Sequence, residues 1–210
     1  MLLSQQTVER EAILALWEIT ESVDDLLDLL DLDPFIIEQV FSFTSEKRQL
    51  EYLAVRAMLK TVLGEKKVIA YELNGKPYLC DHSYQISITH TGKYVAILLH
   101  PTCRLGVDVE RMSDKLVRVQ SKFLSEQERH SVDSVSPKIH LALLWSAKET
   151  LYKMMQQTEV DFIKHLAIKP FQPYQKGVME ATECRTAAAE TFELSYQIFP
   201  EFVLVWALKD

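Results

Sequence analysis

The stretch Tyr84–Leu99, YQISITHTGKYVAILL, has two runs of strand-forming residues on either side of Thr91-Gly92-Lys93. Runs of this kind, parted by a short turn that contains glycine, read as the two strands of an antiparallel hairpin. Phe192–Leu208, FELSYQIFPEFVLVWAL, has the same texture. A segment with apolar residues at helical spacing comes before each, at 46–63 and at 138–156. The sequence therefore predicts an internal duplication. The expected fold is α+β, with two similar halves forming a pseudodimer, each with a long helix packed on a small antiparallel sheet. The halves are expected to divide near residues 100–104, giving 1–102 and 103–210. No Gly/Ser-rich linker separates them, so tight packing is expected.

Working outward, residues 10–19 read as a helix. The segment 21–34, ESVDDLLDLLDLDP, reads as an acidic amphipathic segment ended near Pro34. A strand and a turn at Asn74-Gly75 are expected in KKVIAYELNGKPYL, and another strand in CRLGVDVE. In FLSEQERH, Ser125 and Glu128 have capping-box spacing at the start of a helix. Further strands are expected at 164–169, 177–183, 191–199 and 201–208.

The composition, 48% hydrophobic and 25% charged over 210 residues, is that of a soluble globular protein. Glu9, Arg10 and Glu11 precede any long apolar run, so no signal peptide is expected, and no segment reaches the length of a membrane span. Cys80, Cys103 and Cys184 are far apart and odd in number, which predicts reduced thiols in a cytoplasmic protein. The net charge of −7 argues against nucleic acid as a partner. It also hides an asymmetry. No Lys or Arg occurs from Glu11 to Glu46, whereas Lys47, Arg48, Arg56, Lys60, Lys66, Lys67 and Lys76 follow. A local basic field in an acidic protein suits a small polyanion; a solvated helix face would carry the same residues.

Three features could carry chemistry. In LGVDVE, alternate side chains of a strand go to opposite faces, so Asp108 and Glu110 point the same way. Two neighbouring carboxylates repel by roughly 4 kcal/mol at about 4 Å and an effective dielectric of about 20. Such a pair calls for a cation, and oxygen ligands without His or Cys suit Mg²⁺. Taken alone, the pentapeptide also describes a solvent-facing strand edge with two ordinary acids. The second feature is SITHTGK, where His90 sits between Thr89 and Thr91 just before Gly92. An imidazole with hydroxyls and turn amides can bind phosphate, and a hairpin end with a His in water would look the same. The third is the helix around WSAKETLYK, Trp145–Lys153. Leu141, Leu144, Trp145, Leu151, Tyr152 and Met155 share one face, and Lys148 falls in its middle with Glu149 and Lys153 beside it. An unpaired ammonium in a core is costly, so this helix is expected to hold something. No P-loop, dinucleotide fingerprint, nucleophile elbow or HExxH occurs, and no Cys or Ser nucleophile setting stands out.

Together, GVDVE, about 35 intervening residues and WSAKETLYK resemble the bipartite signature of the 4'-phosphopantetheinyl transferases. NGKPYL and ISITHTG resemble the two further motifs of the Sfp-type members, which are pseudodimers of this length. The resemblance spans roughly residues 46–155, with Thr-His-Thr where Ser-His-Ser is commoner. It implies transfer of the phosphopantetheine arm of coenzyme A to a serine of an acyl or peptidyl carrier protein, with release of 3',5'-adenosine bisphosphate. A non-catalytic coenzyme A or carrier-binding member of the fold is the alternative. By the same resemblance Asp108, Glu110 and Glu149 hold Mg²⁺ on the pyrophosphate, and Lys148 and Lys153 lie against the substrate in a cleft between the halves. His90, with Thr89 beside it, and Lys76 contact phosphates and nucleotide. Arg56 matches an arginine that meets the 3'-phosphate, with Arg48 a nearby competitor. Glu149, directly or through a water, is the expected base for the serine proton. The run RMSDKLVRVQSKF interleaves Arg111, Lys115, Arg118 and Lys122 with apolar residues; it suits docking of an acidic carrier helix, although a mobile loop would serve as an account of it. A monomer is expected, because one chain already carries both halves.

Overall fold

The computed structural model describes residues 1–155 and 159–210, apart from the side chain of Phe35. The chain forms two compact units, Met1–Thr102 and Cys103–Asp210. The fold is α+β, and both units are built on one plan.

The first unit contains β1 (Leu2–Thr7), β2 (Ile13–Glu18), α1 (Val23–Leu30), α2 (Pro34–Ser42), α3 (Glu46–Leu63), β3 (Ile69–Tyr71), β4 (Pro77–Leu79), β5 (Gln85–Thr91) and β6 (Tyr94–His100). Its sheet has the order β1-β2-β6-β5, and β3-β4 is a separate hairpin. The second unit contains β7 (Arg104–Arg111), α4 (Asp114–Val119), α5 (Glu126–His130), α6 (Pro137–Met154), α7 (Phe162–His165), β8 (Leu166–Ile168), β9 (Lys176–Glu183), β10 (Thr191–Ile198) and β11 (Phe202–Lys209). Its sheet has the order β7-β11-β10-β9-β8. In each unit a strand enters, a long helix follows, and the last strand returns antiparallel to the entering one: β2 pairs β6, and β7 pairs β11. The duplication expected from the two hairpin stretches is thus a duplication of topology.

The helix expected at 46–63 forms over those residues as α3 and closes on Gly64, which takes the left-handed conformation that ends helices (φ 73). The second long helix runs Pro137–Met154; Gln156, the last residue of the expected span, lies outside the described residues. Residues 10–19 are a correction. Arg10 and Glu11 have positive φ, which no helix admits, and Ile13–Glu18 is a central strand. Leu14, Ala15, Leu16 and Trp17 are all buried, so both faces of β2 are covered. A continuous apolar run is the pattern of such a strand and carries no helical period. Pro34 does not stop the acidic helix either. That helix ends at Asp31 in the left-handed region (φ 45), and Pro34 opens α2, a position where its missing N–H costs nothing.

Among the described residues no helix is long and apolar enough to cross a membrane, and the three cysteines are free thiols.

Candidate active site

The second unit gathers the carboxylates. Helix α6 lies directly over β7, and Gly106 permits it: a Cβ there would stand 2.4 Å from the Thr150 carbonyl oxygen and 2.9 Å from Met154 Cγ. Strand alternation then turns Asp108 and Glu110, like Gly106, toward α6. Asp108 is 6% exposed. Ser146 Oγ donates to its Oδ2 at 2.8 Å, and Lys153 Nζ donates to its Oδ1 at 2.8 Å. Lys153 also donates to the Val107 carbonyl at 2.8 Å. Burial raises the pKa of Glu110, and the charge of Asp108 adds to the rise. Burial, helped by the charges of Asp108 and Glu110 and opposed by Lys153, pushes Glu149 up to about 7.

Three acids therefore sense one another, with Lys153 on Asp108 and the charge of Lys115 acting on Glu110. Their donor set, oxygen only, suits a hard divalent cation. Among the described residues, however, no three His, Cys, Asp or Glu side chains are already gathered closely enough to hold a metal ion. Asp108 is instead turned to Ser146 and Lys153.

Lys148 is a correction. Its side chain is fully buried, and its ammonium donates to the Phe123 carbonyl at 2.9 Å, to Glu128 Oε2 at 2.8 Å and to the Phe162 carbonyl at 2.8 Å. An ammonium has three donors, so none is left for a substrate. The partner is the capping-box glutamate. Glu128 is 5% exposed, accepts from the Ser125 amide at 2.8 Å and accepts from the Ile168 amide at 3.0 Å. What the helix holds at Lys148 is a structural ion pair that ties α5, α7 and β8 to α6. Trp145 packs beside it against Phe123 and Phe162, at centroid distances of 5.0 and 5.6 Å.

The first unit places the candidate phosphate ligands. His90 faces α3, where Arg48 Nη1 lies 3.2 Å from its Nε2 and Glu51 Oε1 lies 3.2 Å from its Nδ1. Thr89 is buried and, by alternation along β5, points to the opposite face from His90. Lys76 is half-buried after the Asn74-Gly75 turn, and its amide donates to Asn74 Oδ1 at 2.9 Å. Arg56 is 8% exposed; its guanidinium stacks 3.3 Å from the Tyr52 ring centroid and donates to the Tyr52 carbonyl at 3.1 Å. Burial lowers its pKa. Of the two competing arginines, Arg48 is the one beside His90; Arg56 lies eight residues on, about 12 Å along the helix.

The run after Glu110 is ordered. Arg111, Lys115, Arg118 and Lys122 are exposed, while Leu116 is buried in the core of the unit and Met112, Val117 and Val119 pack against that core. Its apolar members therefore serve the fold, and its outward face is basic.

Sequence reasoning missed Ser146, Glu128 and Glu51. Only Glu128 had a signal: an ammonium in the middle of an apolar helix face requires a buried acid somewhere, and the capping-box glutamate was available.

Residues 104–207 match the 4'-phosphopantetheinyl transferase superfamily. The 4'-phosphopantetheinyl transferase gsp of Aneurinibacillus migulanus is 25% identical over 192 residues, covering 71% of this chain and 79% of that protein.

Proposed function

We propose, from the match of residues 104–207 to the 4'-phosphopantetheinyl transferase superfamily, that the chain transfers the 4'-phosphopantetheine arm of coenzyme A to a serine hydroxyl of an apo acyl or peptidyl carrier protein, releasing 3',5'-adenosine bisphosphate. The observation that carries the reading is the excess of carboxylate over cation where β7 meets α6. Asp108, Glu110 and Glu149 act on one another there against Lys153 and Lys115, and burial with the neighbouring charges pushes Glu149 up to about 7.

Asp108, Glu110 and Glu149 would hold a magnesium ion, which supplies charge neutralisation at the pyrophosphate oxygens. Lys153 is a quarter exposed and reaches a phosphate oxygen from its place on Asp108. Glu149, directly or through a water, accepts the proton of the attacking serine. Residues 103–210 supply this catalytic set. Residues 1–102 hold the nucleotide end, through His90, Lys76 and an arginine. Arg48 is favoured over Arg56 for that role, because Arg48 is the one that stands against His90. The exposed basic face of α4 receives the acidic carrier. Free cysteines agree with a cytoplasmic setting.

The test is mass spectrometry of a panel of apo carriers after incubation with coenzyme A and Mg²⁺. A gain of the phosphopantetheine mass, lost on chelation and in Asp108→Ala, is expected. Carriers that all stay unmodified would sink the reading.

A further inference from the structure

We propose that Glu51 is a positioning residue for His90, holding the imidazole by Nδ1 so that His90 meets a coenzyme A phosphate as an imidazolium. This rests on the reading of His90 as a phosphate ligand.

Glu51 lies on α3 and is 4% exposed, although it has the i,i+4 spacing from Lys47 that normally gives an exposed surface pair. Lys47 Nζ stays 3.5 Å away with its own side chain 66% exposed. The Glu51 carboxylate is turned toward β5 instead. Its Oε1 is buried and completes no hydrogen bond, with His90 Nδ1 3.2 Å away but off the bonding angle. A buried carboxylate oxygen without a donor is costly, and a small ring movement of His90 would supply one.

The other ring nitrogen fixes the tautomer. Arg48 Nη1 stands 3.2 Å from Nε2, and a guanidinium has donors only. Nε2 is therefore the acceptor, and the imidazole proton sits on Nδ1, facing Glu51. In that form His90 would offer a lone pair to a phosphate oxygen. To donate from Nε2 it must take a second proton, which comes from solvent as Arg48 turns to the anion. A carboxylate against Nδ1 favours the doubly protonated ring. The charged groups of α3 around His90 are Lys47, Arg48 and Glu51. Across the sheet its register partner is the apolar Val95, and from the β5–β6 turn Lys93 pairs with Glu18. β4, whose titratable residue is Tyr78, packs on β5. Lys47 and Arg48 oppose protonation. The bound phosphate neutralises them, and the buried Glu51 carboxylate stays against Nδ1.

The experiment is a calorimetric double-mutant cycle on coenzyme A binding to the metal-free full chain. Glu51→Gln should weaken binding about five- to tenfold, the scale of one weakened charge-assisted hydrogen bond. It should have no further effect in a His90→Ala background. An equal loss in both backgrounds, or none in the parent protein, would overturn the role of Glu51. Proton uptake gives a second measurement that does not depend on variants folding. Binding at pH 8 in buffers of different ionisation enthalpy should show net uptake in the parent protein, and no uptake would overturn the inference. A His90→Ala variant that binds coenzyme A as tightly as the parent would instead remove His90 from the phosphate site.

Discussion

A lysine in the middle of an apolar helix face is ambiguous in a sequence, because it can reach for a ligand or for a buried acid. The three acceptors around Lys148 decide for the acid. Lys148→Ala would strand the Glu128 carboxylate in the core and is expected to cost about 3–5 kcal/mol of unfolding free energy. Lys148→Met with Glu128→Gln should recover much of that loss in urea melts, because no charge is then left unpaired. A substrate-contact role predicts the reverse: a stable single variant with impaired coenzyme A binding. Glu149 behaves oppositely. Its folded pKa of about 7 lies above the ordinary 4.5, so the native state holds its proton more tightly than the unfolded chain does. Metal-free stability should therefore fall as pH rises from 4.5 through 7, by roughly 3 kcal/mol at most. Glu149→Gln should match the parent near pH 4 and be the more stable protein at pH 8. A stability gap that did not change with pH would contradict this. Asp108→Ala brings no such gain, because Asp108 already pairs Lys153 and Ser146 and its loss strands both.

At the scale of the element, the sequence was most legible where period, cap and turn agreed. Helix α3, the β5–β6 hairpin and the Ser125–Glu128 capping box lie where those signals put them. Strand β2 was misread because a run buried on both faces carries no period. Burial on two sides is a tertiary fact that six residues cannot announce. The face of β7 was legible for its acids, since alternation alone sends Asp108 and Glu110 together. The partners of those acids come from α6, so Ser146 was out of reach. Helix α4 shows the same limit: charge was readable, but the direction of the apolar residues was not, and Leu116 points into the core. Leu116→Ala is therefore a stability variant, at about 2–5 kcal/mol, and no probe of docking. The exposed charges are the probe. Reversing Lys115, Arg118 and Lys122 to Glu should raise the KM for carrier about tenfold or more and barely move that for coenzyme A. Added salt should weaken carrier recognition by the parent protein far more than by the reversed one, since exposed charges are screened beyond about 8–10 Å. A carrier KM indifferent to the reversal would put docking elsewhere.

For the whole molecule, two weakly similar hairpin stretches proved to be the visible part of a larger correspondence. Strands β2, β5 and β6 with α3 repeat the connections of β7, β10 and β11 with α6, although little of the sequence repeats. Topology outlasts sequence because many apolar combinations fill the same layer if pattern and volume are kept. The acids divide unequally over the repeat. The second copy carries acids on the strand that its helix covers, and the corresponding strand of the first, β2, reads Ile-Leu-Ala-Leu-Trp-Glu with an acid only at its end. A homodimer of single halves would contain two identical acid sets. This chain has one, joined covalently to a half with different residues, so a second chain has no acid set to complete. The expected species in solution is a monomer at the composition mass of 24.3 kDa. Light scattering at micromolar concentration should return that mass, with and without coenzyme A, and activity per chain should not change on dilution. A stable dimer or trimer whose dissociation abolished transfer would show that the second half does not suffice as the first one's partner.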